Sequence, residues 1–149
     1  MTKVVSINHV SFTVSNLEKS VDFYTLVLGL KLLDISKRSP QYSAQVTGIP
    51  GAHLKIAYLS LGEAKLELIQ YLAGGGGKIN TSTHYVGSTH LCLNVSDINN
   101  FYKHFIDHGG KTVAFPKKIP AGVNKGRKGF YGEDPDSNKL EFISNEKYI

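Results

Sequence analysis

Cysteine is nearly absent. Cys92 is the one thiol in 149 residues, which excludes an intramolecular disulfide and any cysteine-rich zinc knuckle. Long apolar runs are missing too: no stretch approaches the roughly 18–20 residues that span a bilayer, so no transmembrane helix and no membrane partner are expected. The start, Met1-Thr2-Lys3-Val4-Val5-Ser6, lacks the apolar core and small-residue cleavage site of a secretory signal. With no other address, the cytoplasm is the expected compartment. Concentrated charge of one sign is scarce as well. The formal charge is +5 and the pI about 9.2, yet the basic residues are dispersed, whereas a nucleic-acid binder clusters them on one face. The single concentration is Lys117, Lys118, Lys125, Arg127 and Lys128, in a stretch containing Gly and Pro. It reads as solvated loop charge, with an anionic small molecule as the other reading, and no nucleic-acid partner is expected.

What remains is an ordinary globular composition, 41% hydrophobic and 19% charged. The length fits one domain, or two small modules sharing one core. An internal repeat supports the second arrangement. Residues His9-Val10-Ser11-Phe12-Thr13-Val14-Ser15-Asn16-Leu17 read like His90-Leu91-Cys92-Leu93-Asn94-Val95-Ser96-Asp97-Ile98. The offset of 81 (90 − 9) persists without a gap to Tyr24 over Phe105 and Gly29 over Gly110. A second pair matches more closely, Lys65-Leu66-Glu67-Leu68-Ile69 and Lys139-Leu140-Glu141-Phe142-Ile143. One domain over residues 1–149 is therefore expected, with module one at about 3–72, a linker at about 73–85 containing Gly74 to Gly77, and module two at about 86–145.

Each half predicts the same elements. A first strand alternates Val10, Phe12 and Val14 with His9, Ser11 and Thr13; its copy alternates Leu91, Leu93 and Val95 with His90, Cys92 and Asn94. A helix follows, with a capping box of Ser15 and Glu18, a stripe of Leu17, Val21, Tyr24 and Leu28, and a stop at Gly29. In the second half Ser96 is the expected cap, the stripe is Ile98, Phe101, Tyr102 and Phe105, and Gly109-Gly110 ends the helix. Three further strands close each half. The clearest hairpins pair residues 53–61 with 65–71 around Gly62-Glu63-Ala64, and 128–132 with 139–144 around Asp134-Pro135-Asp136-Ser137-Asn138. The expected fold class is α+β, two paired β-α-β-β-β modules. One module's sheet cannot cover its own inner face, so the two should enclose a cleft.

The chemistry falls at repeated positions. Each first strand begins with a histidine on its polar face, and each last strand carries a glutamate between apolar neighbours. A carboxylate inside a sheet is costly without a partner. A divalent metal is an efficient partner for two imidazoles and two carboxylates, and His9, Glu67, His90 and Glu141 are the candidate ligands. Nitrogen and oxygen donors of this kind suit one Zn, Ni, Co, Mn or Fe ion.

The chain resembles the vicinal oxygen chelate superfamily, which includes glyoxalase I, methylmalonyl-CoA epimerase, extradiol dioxygenases, and fosfomycin- and bleomycin-resistance proteins. The likeness rests on Ile7-Asn8-His9-Val10, on Leu17-Glu18-Lys19-Ser20-Val21-Asp22-Phe23-Tyr24 leading to Leu28-Gly29-Leu30, on Lys65-Leu66-Glu67-Leu68-Ile69, on Thr89-His90-Leu91, and on the run from Phe130 to Phe142. It covers nearly the whole chain. It implies a curled, incompletely closed eight-stranded sheet around a metal held where His9, Glu67, His90 and Glu141 fall. It also implies a homodimer, simple or module-exchanged. In metal-using relatives, proton transfer α to a carbonyl gives epimerases, isomerases and glyoxalase-like lyases. The resemblance assigns the moving carboxylate to Glu141 or Glu67, with Glu141 favoured, and the basic stretch suits a small acidic substrate.

Three departures shape that expectation. Ser137 stands where the family's turn often has Gly, with Asn138 beside it able to take a positive φ. Glu67 follows the glyoxalase I pattern rather than the Gln typical of methylmalonyl-CoA epimerases. Residues 41–51 contain no acid, so the second acid of two-base epimerisation is missing. Two alternatives accompany the proton-transfer enzyme. A non-catalytic binding or resistance protein of the same fold is one; an Fe(II) dioxygenase using His9, His90 and Glu141 is the other, and Glu67 argues against it. Among lesser candidates, Cys92 reads as a small buried hydrophobe or a cleft residue. His53 and Tyr58 either line the cavity or pack, and His84, His104 and His108 fit loop or exposed helix positions.

Overall fold

The structure, a computed structural model, describes residues 2–145; of the span expected as one domain, Met1 and residues 146–149 lie outside. It divides into two compact units, residues 1–78 and 79–149. The fold is α+β, with an open four-stranded sheet in the first unit and an open five-stranded sheet in the second, neither a closed barrel. The described residues form nine strands, one more than the eight expected.

In the first unit, β1 (Val10–Thr13) leads to α1 (Leu17–Asp22), which widens into a π-helical turn at Phe23–Val27. Then come β2 (Lys31–Lys37), α2 (Pro40–Thr47), β3 (His53–Leu61) and β4 (Ala64–Ala73), in the sheet order β1-β4-β3-β2. The β1–β4 pair is parallel, the others antiparallel. Phe12, Val14, Leu17, Val21, Tyr24, Leu59, Leu66 and Leu68 are buried, so three residues of the predicted helix stripe pack as read, while its fourth, Leu28, is half-buried and Val10 of the strand stripe is exposed.

Three local readings change. Asn16 caps α1, its side chain accepting from the Lys19 amide, in place of the expected Ser15; Glu18 is ion-paired with Lys55. The helix does not run regularly to Gly29. The Thr25 hydroxyl donates to the Val21 carbonyl and Leu28 N–H reaches Phe23 O, one residue beyond α spacing. Residues 40–47 form α2 between Ser39, whose hydroxyl accepts from Tyr42 N, and Gly48 in the left-handed region at φ 70°.

The second unit runs β5 (His90–Val95), α3 (Ile98–Asp107), β6 (Lys111–Thr112), β7 (Lys117–Lys118), β8 (Lys128–Glu133) and β9 (Lys139–Ser144). The order is β5-β9-β8-β6, with β7 also on β8. Asp97, not Ser96, caps α3 by accepting from Asn99 N and Asn100 N. It is the repeat counterpart of Asn16 (97 − 16 = 81), so both caps lie one residue beyond the serines. Short amide or carboxylate side chains rank with serine as caps, and both pairs of neighbours offered two acceptors in a row.

The aromatic core of this unit gathers Phe101, Phe105, Phe130 and Phe142, with Phe105 and Phe142 centroids 5.0 Å apart. Gly132 is required there: a Cβ would lie 2.8 Å from the Phe105 ring. The β8–β9 turn is organised by buried Asp134, whose Oδ1 accepts from Asp136 N and Asn138 N while Oδ2 accepts from Asn138 Nδ2. The positive φ, +71°, falls on Ser137 itself and not on Asn138.

Candidate metal and proton-transfer site

Strand register brings the predicted residues together within each unit. In the first, β1 runs parallel to β4 with Ser11 opposite Glu67, and β3 runs antiparallel on its other side with Tyr58 opposite Glu67. Directly opposed residues share a sheet face, so Ser11, Glu67 and Tyr58 form one row, with His9 at the mouth of β1. His9 Nε2 lies 3.3 Å from Glu67 Oε2. Tyr58 donates to Glu67 Oε1 at 2.5 Å and meets His9 edge-on, ring centroids 5.6 Å apart. That hydrogen bond, helped by burial and the Glu67 charge, pushes the Tyr58 phenol up to about 12. Glu67 is buried.

The second unit repeats the arrangement. Cys92 on β5 and Tyr131 on β8 stand opposite Glu141 on β9. His90 Nε2 lies 3.1 Å from Glu141 Oε2, and His90 meets Tyr131 edge-on at 5.3 Å. Here the tyrosine does not bond the carboxylate. Glu141's further neighbour is the Cys92 thiol, which burial of the sulfur, the Glu141 charge and a hydrogen bond to it push up to about 12. Burial and the Glu141 charge also raise the Tyr131 phenol. Cys92 as a residue is exposed rather than a buried hydrophobe.

A twice-built row of histidine, glutamate and tyrosine invites comparison with known proteins. The family model described as Glyoxalase/Bleomycin resistance protein/Dioxygenase superfamily matches residues 6–142. The chain belongs to this superfamily. A lactoylglutathione lyase from Haemophilus influenzae is 30% identical over 144 residues, 95% of this chain and 94% of that protein. A 2-epi-5-epi-valiolone epimerase from an Actinomyces species is 27% identical, over 94% of this chain and 79% of that protein. Among solved structures, a glyoxalase family protein from Bacillus cereus has the same fold at a TM-score of 0.82 and 18% identity, covering 96% of this chain and 95% of that one.

Superfamily members generally use a divalent metal, and the residues here can be tested against one. Asn8 Oδ1 faces His9 Nδ1 at 2.9 Å. An amide oxygen only accepts, so Nδ1 is the donor of this pair, the orientation that leaves Nε2 available to a metal. Nε2 lies 3.3 Å from a Glu67 oxygen, a spacing that a shared proton fills as well as a metal ion does. The donor chemistry therefore fits a borderline divalent cation. Among the described residues no group of three or more His, Cys, Asp or Glu side chains is placed to hold a metal ion.

The other sequence candidates separate cleanly. His104 and His108 stack on each other along α3, centroids 4.2 Å apart, away from Glu141's row. His84 lies exposed in the connection before β5, and His53 opens β3 opposite Ala73. Lys117, Lys118, Lys125 and Lys128 are exposed, and Arg127 is half-buried with a bond to Asn124. Sequence alone reads Tyr58 as a cavity or packing residue and gives Tyr131 no role. Folding the second hairpin about residues 134–138 does set Tyr131 opposite Glu141, whereas the expected turn Gly62-Glu63-Ala64 sets Leu59 opposite Glu67; Ala64 instead joins β4, and the shorter turn brings Tyr58 there.

Proposed function

We propose that the chain is a divalent-metal-dependent enzyme that transfers a proton α to a carbonyl, as a glyoxalase-like lyase or an epimerase, on a small acidic substrate. The repeated His–Glu–Tyr row supports this reading best, because one feature built twice supplies two imidazole and two carboxylate donors. His9, Glu67, His90 and Glu141 form the proposed ligand set. A bound divalent ion would supply Lewis acidity, making a substrate carbonyl electron-poor and its neighbouring C–H acidic.

The protein's own groups then divide the work. Asn8 fixes the His9 ring by holding Nδ1–H. Tyr58 fixes Glu67 by occupying Oε1, which leaves Oε2 toward His9. Glu141 is held by no tyrosine and is more open, its side chain 20% exposed against 9% for Glu67. It is the carboxylate free to take a proton from carbon and return it, the general-base role. The names of two relatives, a lactoylglutathione lyase and an epimerase, bring the same reaction classes to this chain. A homodimer and cytoplasmic residence belong to the same proposal.

The test has two stages. Protein purified without chelators should carry about one divalent ion per site and lose it in the His9→Ala, His90→Ala double variant; unchanged metal content would remove the site. Metal-loaded protein incubated in D₂O with the hemithioacetal of methylglyoxal and glutathione, and with chiral α-substituted thioesters, should exchange the α-proton. Metal binding with no exchange on any such compound would leave the fold's non-catalytic binding role instead.

A further inference from the structure

Beside His90, one face of the second unit carries three charged residues that the proposed chemistry does not use. Lys111 on β6 is opposite Glu133 on β8, Glu133 is opposite Lys139 on β9, and Lys139 is opposite His90 on β5. Opposed side chains share a face, so this row lies one rung from that of Tyr131, Glu141 and Cys92. A cavity of ≈ 460 Å³ opens over it, lined by Lys111, Val113, Tyr131, Glu133 and Lys139, and roofed by residues 82–84 of the connection, His84 among them. Two lysines flank one carboxylate, leaving a net positive charge at this end. Glu133 is ion-paired with Lys139 rather than Lys111 among the described residues. Burial would raise the Glu133 carboxyl, but the Lys139 hydrogen bond and charge, the Ser137 hydroxyl and Lys111 together hold it below the usual carboxylate range. Val113 and the Tyr131 ring add apolar and aromatic surface, beside the polar side chains of Ser82, Thr83 and Thr112.

We infer that this cavity binds an organic carboxylate, its anionic end between Lys111 and Lys139 and its apolar body along Tyr131 toward His90 and Glu141. Glu133 occupies the anion's place in the free protein and holds Lys139 ready. The reach is right for one small molecule: adjacent strands are about 4.8 Å apart, so the Lys139 position is one strand spacing from His90 and the Lys111 position about three. An acid bound at Lys139 thus has a carbon two to four bonds from its carboxylate near Glu141. The basic stretch 117–128, the anion contact suggested by sequence, lines none of this cavity.

The inference deepens the proposed function and rests on it for its meaning, but it can fail separately. The experiment uses full-length protein stripped with EDTA, so that no carboxylate can bind through a metal. It follows backbone amide shifts by NMR while sodium hexanoate or the neutral isostere hexanamide is added. Hexanoate should shift the amides of residues 111–113 and 131–133 with a millimolar Kd, and hexanamide should bind at least tenfold more weakly. Lys111→Gln should weaken hexanoate at least fivefold. Glu133→Gln should tighten it about threefold, because it removes the competing carboxylate. Equal binding of acid and amide, no effect of Lys111→Gln, or weakening by Glu133→Gln would each overturn the site. Loss of hexanoate selectivity with α-proton exchange intact removes only this inference. Selective hexanoate binding with no exchange supports the carboxylate site and removes the enzymatic reading.

Discussion

In residues 1–78 the glutamate is gripped from both sides, by His9 at 3.3 Å and by the Tyr58 hydroxyl at 2.5 Å. In residues 79–149 the same position faces His90 at 3.1 Å and the Cys92 thiol, while the matching Tyr131 touches only the histidine ring. Identical register thus gives one carboxylate bonded by a phenol and one bonded by a thiol, the second more exposed. Under the proposed function the firmer hold suits a ligand, and the weaker one suits a base that moves between metal, proton and solvent. The duplicated scaffold supplies two equal positions, and single side chains beside them make their surroundings unequal.

The largest effect should come from testing that division directly. At saturating metal, Glu141→Gln is expected to slow α-proton exchange by about 10²–10⁴-fold, the usual worth of a positioned base. Glu67→Gln should instead raise the metal concentration needed for half-activity, with a smaller loss once metal is saturating. The reverse pattern would assign the base to Glu67.

A second contrast lies behind the sheets. The residues flanking the tyrosine exchange their volumes: Ala57 and Leu59 in the first unit correspond to Phe130 and Gly132 in the second. Leu59 is fully buried against its sheet, whereas in the second unit the Phe105 and Phe142 rings close on Gly132 so that only a glycine fits. Urea unfolding of Leu59→Ala should therefore show a loss of about 2–5 kcal/mol from the cavity left behind. Gly132→Ala, a change in the opposite direction, should lose about 1–3 kcal/mol from overpacking against Phe105. A neutral Gly132→Ala would mean that the aromatic cluster can shift, and that the two cores are less distinct than their residues suggest.

The tyrosines give a third. Tyr58→Phe should weaken metal retention about 10–100-fold, the usual cost of losing a partner that orients a ligand. Tyr131→Phe keeps the ring against His90 and removes no bond to Glu141, so its metal affinity should stay within about twofold. Equal losses would show that both phenols orient carboxylates once metal is bound.

These contrasts also show what sequence alone could carry. The His positions were readable because strand alternation and a gap-free offset of 81 put both on a defined face at a repeated place, and the Glu positions because a second repeat, at an offset of 74 (141 − 67), sets each between apolar neighbours. The β3–β4 and β8–β9 hairpins were readable from glycine and Asp-Pro turn chemistry. Helix α2 was missed although Ser39-Pro40 and Gly48 mark its ends, because its exposed, weakly amphipathic body gives no periodic signal between them. The edge of the second sheet was missed for a related reason: β6 and β7 are two residues each, too short to show a period. What Tyr58 and Tyr131 each do was not readable at all. Both stand opposite a glutamate, and whether a hydroxyl reaches the carboxylate depends on side-chain placement within the same register.

The smallest contrast concerns the hairpin turns. Each uses a left-handed residue, Gly62 at φ +59° in the first unit and Ser137 at φ +71° in the second. A residue with a Cβ pays roughly 1–2 kcal/mol in that region, which glycine avoids, though glycine's extra freedom in the unfolded chain returns about 0.5–1 kcal/mol. Ser137 also hydrogen-bonds Glu133, a bond near the surface that solvent screening brings to about 0.5 kcal/mol. The backbone term is the largest, so Ser137→Gly should stabilise the protein slightly, by less than about 1 kcal/mol in urea unfolding. Gly62→Ser should cost about as much, since a Cβ there meets nothing within 4 Å and only the backbone strain counts. If Ser137→Gly destabilises instead, the hydroxyl's bond to Glu133 outweighs the strain. The serine would then be part of the charged row beside the cavity rather than a tolerated misfit in its turn.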